Sequence, residues 1–364
     1  MLNGSQITED TLISSLLETL RALPEVHAEF KATGAVANGK DYDARISLQI
    51  GGKSFILLIN AKRSVYPRDA LQFIWQQRDF ARSQTLDLKA KEVLPLLAAE
   101  SISSGAMELL RNERFGYFDS AGSLFLPAEG AYLYIDKPPP KTLSKSILSL
   151  YTKRRAQVLH ALLLRQQEWF SVKTLAKLAM VSPATASQVL TELDRFDWVE
   201  SRGQGPNKER YLTEPAKLLD TWVQQVASNR TQTIRRYYVP TLKSESLLEK
   251  IGQVFNNREV KYAISYEAAA QRYAPFLSNV SQVRCRLLTS KAAESAISEL
   301  GARAVNEGAN LLITEAESSG ELLFRENIGG IWLDSPIQVY IDLLHGEGRA
   351  KEMAEHLRKE RIGF

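Results

Sequence analysis

The sequence predicts a multidomain protein that combines α/β and α+β architecture. Helical and strand-like periodicities alternate through residues 1–140 and again through 237–364. Between these regions, residues 153–213 carry three short helical stretches followed by two strands. Such alternation is typical of sheets covered by helices. We therefore predict three domains, with bounds 1–140, 141–236 and 237–364.

The first domain opens with a helix, because apolar residues in ITEDTLISSLLETLRAL recur at helical spacing. Two strands follow, DARISLQI and KSFILLINAK, and Gly51-Gly52 between them predicts a hairpin turn. The next elements are a helix in PRDALQFIWQQRDFARSQ, a strand in KEVLPLLAAES and a capped helix in SSGAMELLRNERFG. Short strands in YFDSAGSLFLP and AYLYID complete a mixed α/β domain.

The middle domain is set apart by its boundary and by its charge. The three prolines of DKPPPKTLSK cannot continue a helix or a central strand. Residues 141–240 hold 16 Lys and Arg against 8 Asp and Glu, whereas the segments on either side each hold 15 against 17. This excess of positive charge predicts a polyanionic partner, although many solvated protein faces are also basic.

The pattern of residues 153–213 matches a winged helix-turn-helix. The stretch RRAQVLHALLLRQ predicts the first helix, and Ser171 is placed to cap the second. Ser182-Pro183 gives a cap followed by proline at the first position of the third helix. Trp198-Val199 and Tyr211-Leu212 are the expected wing strands, and the trailing segment extends the domain to residue 236.

The third helix is the predicted DNA-reading element. Its apolar positions Ala186, Val189, Leu190 and Leu193 form one inward stripe, which leaves small and polar residues outward. Such a face can approach base edges in the major groove, while Lys and Arg of a wing contact phosphates. The predicted DNA-binding residues are Ser182, Ala184, Thr185, Ser187, Gln188, Thr191, Arg202, Gln204, Asn207, Lys208 and Arg210. The alternative is a winged helix that contacts another protein.

The stretch DYDARISLQIGGKSFILLINAKRS resembles the PD-(D/E)XK nucleases. In that family, two carboxylates hold a divalent metal and a lysine positions the attacking water. Asp43 (or Asp41) matches the Asp position, Lys62 matches the Lys, and Asn60 stands where the family has Glu. The family's helix glutamine corresponds to Gln72 or Gln76. Because neutral Asn binds Mg²⁺ poorly, we expect a nuclease-like domain without cleavage activity and without metal. An unrelated α/β domain is the alternative.

Residues 237–364 mix strands, in VKYAISY, QVRCRLLT and NLLITEA, with a closing helix pair broken at Gly346 and Gly348. The stretches KYAISYEAAAQRYAPF and SPIQVYIDLLHGEGRAKEMAEHL resemble the C-terminal part of AbiEi-type antitoxins. These are transcriptional regulators of type IV toxin–antitoxin systems with a reduced nucleotidyltransferase-like domain. The carboxylates of active transferases are replaced here by Arg284-Cys285-Arg286. We therefore expect no transfer chemistry, and we expect Glu267, Asp334 and Asp342 to be solvated or capping residues rather than metal ligands.

Taken with the resemblance, these features predict a sequence-specific regulator of double-stranded DNA, an antitoxin-like repressor of its own operon. Because such DNA-binding modules usually read two half-sites as dimers, we expect a homodimer. The resemblance implies a toxin encoded in the same operon, without direct contact to this chain. A single cysteine, Cys285, excludes an intramolecular disulfide framework, and no signal segment is evident, so a cytoplasmic location is expected. We expect no cofactor, no metal and no membrane partner. The alternatives are a metal-dependent DNA nuclease targeted by the winged helix, and a mobile-element regulator without a toxin.

Overall fold

The computed structural model describes residues 8–37, 40–82, 92–140, 149–227, 233–241, 246–277 and 279–364. The chain is a mixed α/β protein that divides into two compact units, Met1–Ser149 with Glu192–Asp197 and Leu150–Thr191 with Trp198–Phe364. The predicted bounds of three domains stay a prediction. Within the described residues, no helix is long and apolar enough to cross a membrane.

The described helices are, in chain order, α1 Glu9–Arg21, α2 Pro67–Arg82, α3 Ser104–Asn112, α4 Lys153–Leu164, α5 Val172–Leu178, α6 Pro183–Arg195, α7 Pro215–Ala227, α8 Leu247–Asn257, α9 Tyr266–Tyr273, α10 Lys291–Glu299, α11 Pro336–Leu344 and α12 Ala350–Leu357. The described strands are β1 Val26–Ala37, β2 Lys40–Ile50, β3 Lys53–Val65, β4 Glu92–Ile102, β5 Gly116–Asp119, β6 Leu124–Ala128, β7 Ala131–Ile135, β8 Phe170–Ser171, β9 Val199–Arg202, β10 Glu209–Leu212, β11 Ile234–Tyr238, β12 Tyr262–Ser265, β13 Val283–Leu287, β14 Arg303–Ala304, β15 Leu311–Glu315, β16 Glu326–Ile328 and β17 Ile331–Leu333.

The first unit is built on a seven-stranded sheet whose strands lie in chain order from β1 to β7. Strands β1, β2 and β3 form an antiparallel meander, and β4 and β5 then run parallel to β3. Gly51 and Gly52 join β2 to β3 with φ of +53° and +82°, the backbone that a two-residue hairpin requires. The hairpin prediction is confirmed, whereas β1 was not predicted.

Helices cover both faces of this sheet. Leu12, Leu16 and Leu20 of α1 pack on one face with inward residues of β2 and β3. On the other face, Phe73 of α2 and Leu110 of α3 belong to a second apolar cluster with residues of β4 and β5. Because successive residues of a strand point to opposite faces, β3 and β4 supply both clusters and read as nearly continuous apolar runs.

The second unit contains α4, α5 and α6 as far as Thr191, together with a small three-stranded sheet of order β8-β10-β9 whose first strand lies between α4 and α5 in the chain. Ser171 and Ser182 cap α5 and α6, since their hydroxyl oxygens accept from the backbone N–H groups of Thr174 and Thr185 at 3.1 and 3.2 Å. The α6 stripe is buried as expected from its spacing. Its members are Ala186, Val189, Leu190 and Leu193.

The remainder of the second unit forms a seven-stranded mixed sheet with the order β14-β11-β15-β13-β12-β17-β16. Strand β11 pairs with β15 from Ile234 onward, so the predicted boundary at residue 236 falls inside a strand of this sheet. The closing helices α11 and α12 are separated around Gly346, and Gly348 has φ +60°. That backbone favours glycine, which is why the helix pair breaks at this point.

A buried group of charges lies inside this sheet domain. The guanidinium of Arg286 on β13 donates to Asp334 at 2.6 Å and to Asp342 of α11 at 3.1 Å. Arg286, Asp334 and Asp342 are only 4%, 2% and 0% exposed, so the expectation that the two aspartates are solvated or capping residues is wrong. Burial acts against the charged guanidinium, but the two carboxylates outweigh it and raise the pKa of Arg286.

Helix α4 packs against the same region through His160. The His160 ring stacks on Phe324 with ring centroids 4.7 Å apart, and its Nε2 hydrogen-bonds the hydroxyl of Ser335, the residue after Asp334. Burial, with a smaller contribution from the positive charge of Arg286, lowers the pKa of His160 to about 3. The three-helix segment and the C-terminal sheet therefore share a packed contact.

This environment predicts how stability depends on pH. Unfolded His160 takes up a proton below about pH 6.5, whereas the folded residue does not until about pH 3. Its contribution to stability is therefore complete above pH 6.5 and is lost as the pH falls toward 3, at up to about 1.4 kcal/mol per pH unit. A His160→Gln variant should lose stability less steeply than the wild type in urea unfolding between about pH 7 and about pH 5. Parallel pH profiles for the two proteins would contradict the assignment.

Candidate nucleic-acid interface

The outward face of α6 presents small and polar side chains. Ala184, Gln188 and Thr191 are exposed along it, and Thr185 and Ser187 are half-buried. Because Pro183 fills the first helical position, the N-terminal turn of α6 starts without a bulky polar group. A helix with such a face can approach a groove closely.

Several predicted contact residues on α6 have their hydroxyls engaged within the helix. Ser182 caps the helix, and its hydroxyl lies 2.9 Å from the Thr185 hydroxyl. The Thr191 hydroxyl donates to the backbone oxygen of Ser187 at 2.9 Å. These contacts favour the methyl groups of the threonines as the outward surface. Gln188 is then the long polar side chain of this face.

The structure also places a residue at this face that the sequence analysis missed. Arg155, in the first turn of α4, donates from Nη2 to Oε1 of Gln188 at 3.2 Å. The run Lys153-Arg154-Arg155 is the sequence signal that could have indicated it, since three consecutive cations at a helix start are unfavourable for the helix itself.

Met180 is a second missed residue. It lies in the turn between α5 and α6 with φ +51°, and 72% of its surface is exposed. A methionine in this conformation and with this exposure is unusual, because the left-handed backbone disfavours side chains and water disfavours the thioether. The turn that precedes α6 thus holds an exposed apolar side chain.

The wing is a short hairpin with a polar tip. Strand β9 pairs antiparallel with β10 from Val199↔Leu212 to Arg202↔Glu209. At the tip, Gly203 has φ +74°, and a Cβ there would lie 2.7 Å from the backbone oxygen of Asn207. Glycine is therefore required for the turn. The predicted contact residues Gln204 and Asn207 are exposed at this tip.

The three predicted cations of the wing differ in their surroundings. Arg202 pairs with Glu209 across the hairpin at 2.6 Å and lies 4.3 Å from the Trp169 ring centre. Arg210 is half-buried, and among the described residues its enclosed Nε has no hydrogen-bond partner. Lys208 is the first residue after the 3₁₀ turn of the tip. Arg202 thus stabilises the hairpin itself, and Lys208 is the better candidate for contact with an anion.

In the first unit, the nuclease-like positions take part in structural contacts. The half-buried Asp43 accepts from the backbone N–H of Ala61 through Oδ2 at 2.7 Å, which ties the first part of β2 to β3. On the helix beside them, Gln77 is the buried glutamine, whereas Gln72 and Gln76 are exposed. Gln77 was not among the positions predicted for the helix glutamine, and that assignment stays a prediction.

Gln77 links two neutral groups. It accepts from the Tyr42 hydroxyl at 3.1 Å, and its amide nitrogen lies 3.5 Å from Oδ1 of Asn60. Burial raises the pKa of Tyr42, which keeps the hydroxyl protonated as a donor. Asn60 thus sits in an uncharged polar chain. The side chain of Asp41, the other candidate for the Asp position, lies outside the described residues.

Lys62 lies near a different carboxylate, Asp69, at 3.7 Å. With Arg63 it lines an open depression together with Glu9, Asp10 and Glu100. Across the described part of the chain, no group of three or more His, Cys, Asp or Glu side chains could hold a metal ion. Asp43, Asn60 and Lys62 each have a polar partner of their own among the described residues, namely the Ala61 N–H, Gln77 and Asp69.

Comparison with known proteins adds little to this description. No protein-family model matches the chain, and no curated protein matches it. A crystal structure of NolR from Sinorhizobium fredii matches 25% of this chain and 95% of its own chain, with 17% sequence identity and a TM-score of 0.18. A TM-score this low supports no inference about the function of this chain.

The contact of Asp43 gives a prediction that separates a structural role from metal binding. Asp43→Ala leaves the Ala61 N–H without its acceptor and should lower the free energy of unfolding by about 1–2 kcal/mol. Asp43→Asn keeps an acceptor oxygen and should cost much less. Urea unfolding with and without Mg²⁺ measures both. If Mg²⁺ stabilises the wild type and both variants lose that effect equally, Asp43 is a metal ligand instead.

Proposed function

We propose that this chain is a sequence-specific regulator that binds double-stranded DNA through a winged helix formed by α4–α6 and the β9–β10 hairpin. The observation that carries the proposal is the pairing of a small, polar, exposed α6 face with a hairpin whose tip is polar and glycine-dependent. A helix for the major groove and an adjacent wing for the backbone are the two parts that such recognition needs.

In this proposal, α6 enters the major groove with Ala184, Gln188 and Thr191 toward the base edges. The small side chains permit close approach, the threonine methyl group offers an apolar contact, and the glutamine amide reads hydrogen-bonding groups. Lys208 at the wing contacts a phosphate, with Gln204 and Asn207 as neutral donors beside it. The surplus of positive charge in residues 141–240 supplies general attraction to the polyanion.

The remaining parts of the proposal rest on the family resemblance. The chain would be an antitoxin-like repressor of its own operon, acting as a cytoplasmic homodimer on a two-fold operator. It would not be an enzyme: the nuclease-like and nucleotidyltransferase-like regions would serve as scaffold. The uncharged chain of Tyr42, Gln77 and Asn60 supports this, because a divalent metal needs carboxylate oxygens.

The first test is direct. The purified protein should bind duplex DNA from upstream of its own gene more tightly than random duplex, with affinity falling as salt rises, and the DNA should stay intact with Mg²⁺. A gel-shift series across salt concentrations, followed by denaturing electrophoresis of the DNA, measures both. Mg²⁺-dependent nicks would favour the nuclease. Equal or absent binding to the two duplexes would reject the regulator.

Within that assay, two substitutions separate base reading from phosphate contact. Gln188→Ala should reduce the preference for the upstream duplex by about 1–3 kcal/mol. Lys208→Ala, the matched control, should weaken binding to both duplexes alike and lower the slope of log affinity against log salt by about one. Equal losses on both duplexes for Gln188→Ala would contradict the groove assignment.

A further inference from the structure

The orientation of the Gln188 amide is set by a residue from another helix. Its oxygen accepts from the Arg155 guanidinium at 3.2 Å, so its NH₂ group is the part turned away from that contact. Gln188 is exposed on α6, and Arg155 is half-buried in the first turn of α4. The less exposed partner is thus the anchor, and the glutamine is the group that it orients.

This orientation changes which base the glutamine can read. A glutamine that reads adenine uses its oxygen to accept from N6 and its NH₂ to donate to N7. The guanidinium uses one of the two lone pairs of the amide oxygen and its positive charge repels a further donor, so the oxygen is a weaker acceptor for N6. The amide then acts as a donor, and the cation next to it favours the same kind of partner. The base edge with two acceptors in the major groove is that of guanine, at O6 and N7.

We propose that Arg155 and Gln188 form one donor pair that reads guanine, with Arg155 as the positioning and specificity-determining residue. This inference rests on the proposed function and deepens it by naming the base. The hydroxyls of Ser182, Thr185 and Thr191 are already engaged within α6, which leaves this pair as the main hydrogen-bonding reader on the helix face.

The chain offers a matched control in the neighbouring residue. Arg154 carries the same charge in the same turn of α4 and is exposed, without a contact to Gln188 among the described residues. Removing Arg154 tests loss of a cation near DNA. Removing Arg155 tests loss of the cation and release of the glutamine amide.

The experiment is selection from a library of random duplexes by the full-length wild type and by Arg154→Ala, Arg155→Ala, Gln188→Ala and Gln188→Glu, followed by sequencing. The position at which Gln188→Ala loses its base preference identifies the contacted base pair. The wild type should select guanine there. Arg155→Ala should lower the guanine-to-adenine ratio by about tenfold, because the freed amide can read adenine. Gln188→Glu, whose carboxylate offers no donor, should abolish the guanine preference.

Arg154→Ala should weaken binding without changing the selected base. If Arg155→Ala behaves like Arg154→Ala, or if the wild type selects adenine at that position, the inference is overturned while the proposed function stands. If the wild type selects no sequence at all, both are overturned. Circular dichroism of each variant establishes that the fold is intact. If Arg155→Ala does not fold, Gln188→Glu still tests the pair, because it removes the donor from the Gln188 side.

Discussion

The second unit of the molecule depends on the placement of one buried guanidinium. Arg286 lies on β13 between the carboxylates of Asp334 and Asp342, and Gln338 donates to Asp342 at 2.9 Å. A buried charge that loses its partner costs several kcal/mol, so strand, loop and helix must meet in one arrangement. Ser335 follows directly and bonds His160 of α4, which extends that constraint to the proposed DNA-binding helices. The charge cluster thus ties the geometry of the winged helix to the C-terminal sheet.

Polar side chains also connect separate elements of the first unit, but there the contacts do not pair a buried cation with buried carboxylates. The Asp43 carboxylate accepts a hydrogen bond from the backbone N–H of Ala61, a position that a backbone carbonyl of the neighbouring strand would otherwise fill. Gln77 connects Tyr42 to Asn60. Satisfied polar contacts between strands and a covering helix fix the register of both, because an unpaired buried donor or acceptor is costly. Positions that resemble those of a nuclease thus have a sufficient structural reason to be polar.

On the proposed DNA-binding surface, intramolecular contacts decide which side chains can reach a ligand. Glu209 and Trp169 hold Arg202, and α6 satisfies the hydroxyls of its own first turn. A side chain that already makes an intramolecular hydrogen bond or ion pair contributes more to the shape of the surface than to hydrogen bonds with a ligand. Recognition would then rest on few groups, namely Gln188 with Arg155, the threonine methyl groups and Lys208. A surface of this kind reads a short sequence and relies on general electrostatic attraction for the rest of its affinity.

The sequence by itself determined the local features. Glycine pairs, serine caps and apolar periodicity correctly placed the β2–β3 hairpin, the starts of α5 and α6 and the buried stripe of α6, because each depends on neighbouring residues only. It missed β1, although apolar and polar residues alternate from Val26 to Thr33, which is the local signal of a half-buried strand, and β2 pairs with it. Only the tertiary structure showed that Gln77 faces Asn60, that Arg155 meets Gln188, and that Arg286 pairs with aspartates 48 and 56 residues away. The rotation of a helix on its sheet and the pairing of distant charges are set by packing across the whole core, which no local pattern encodes.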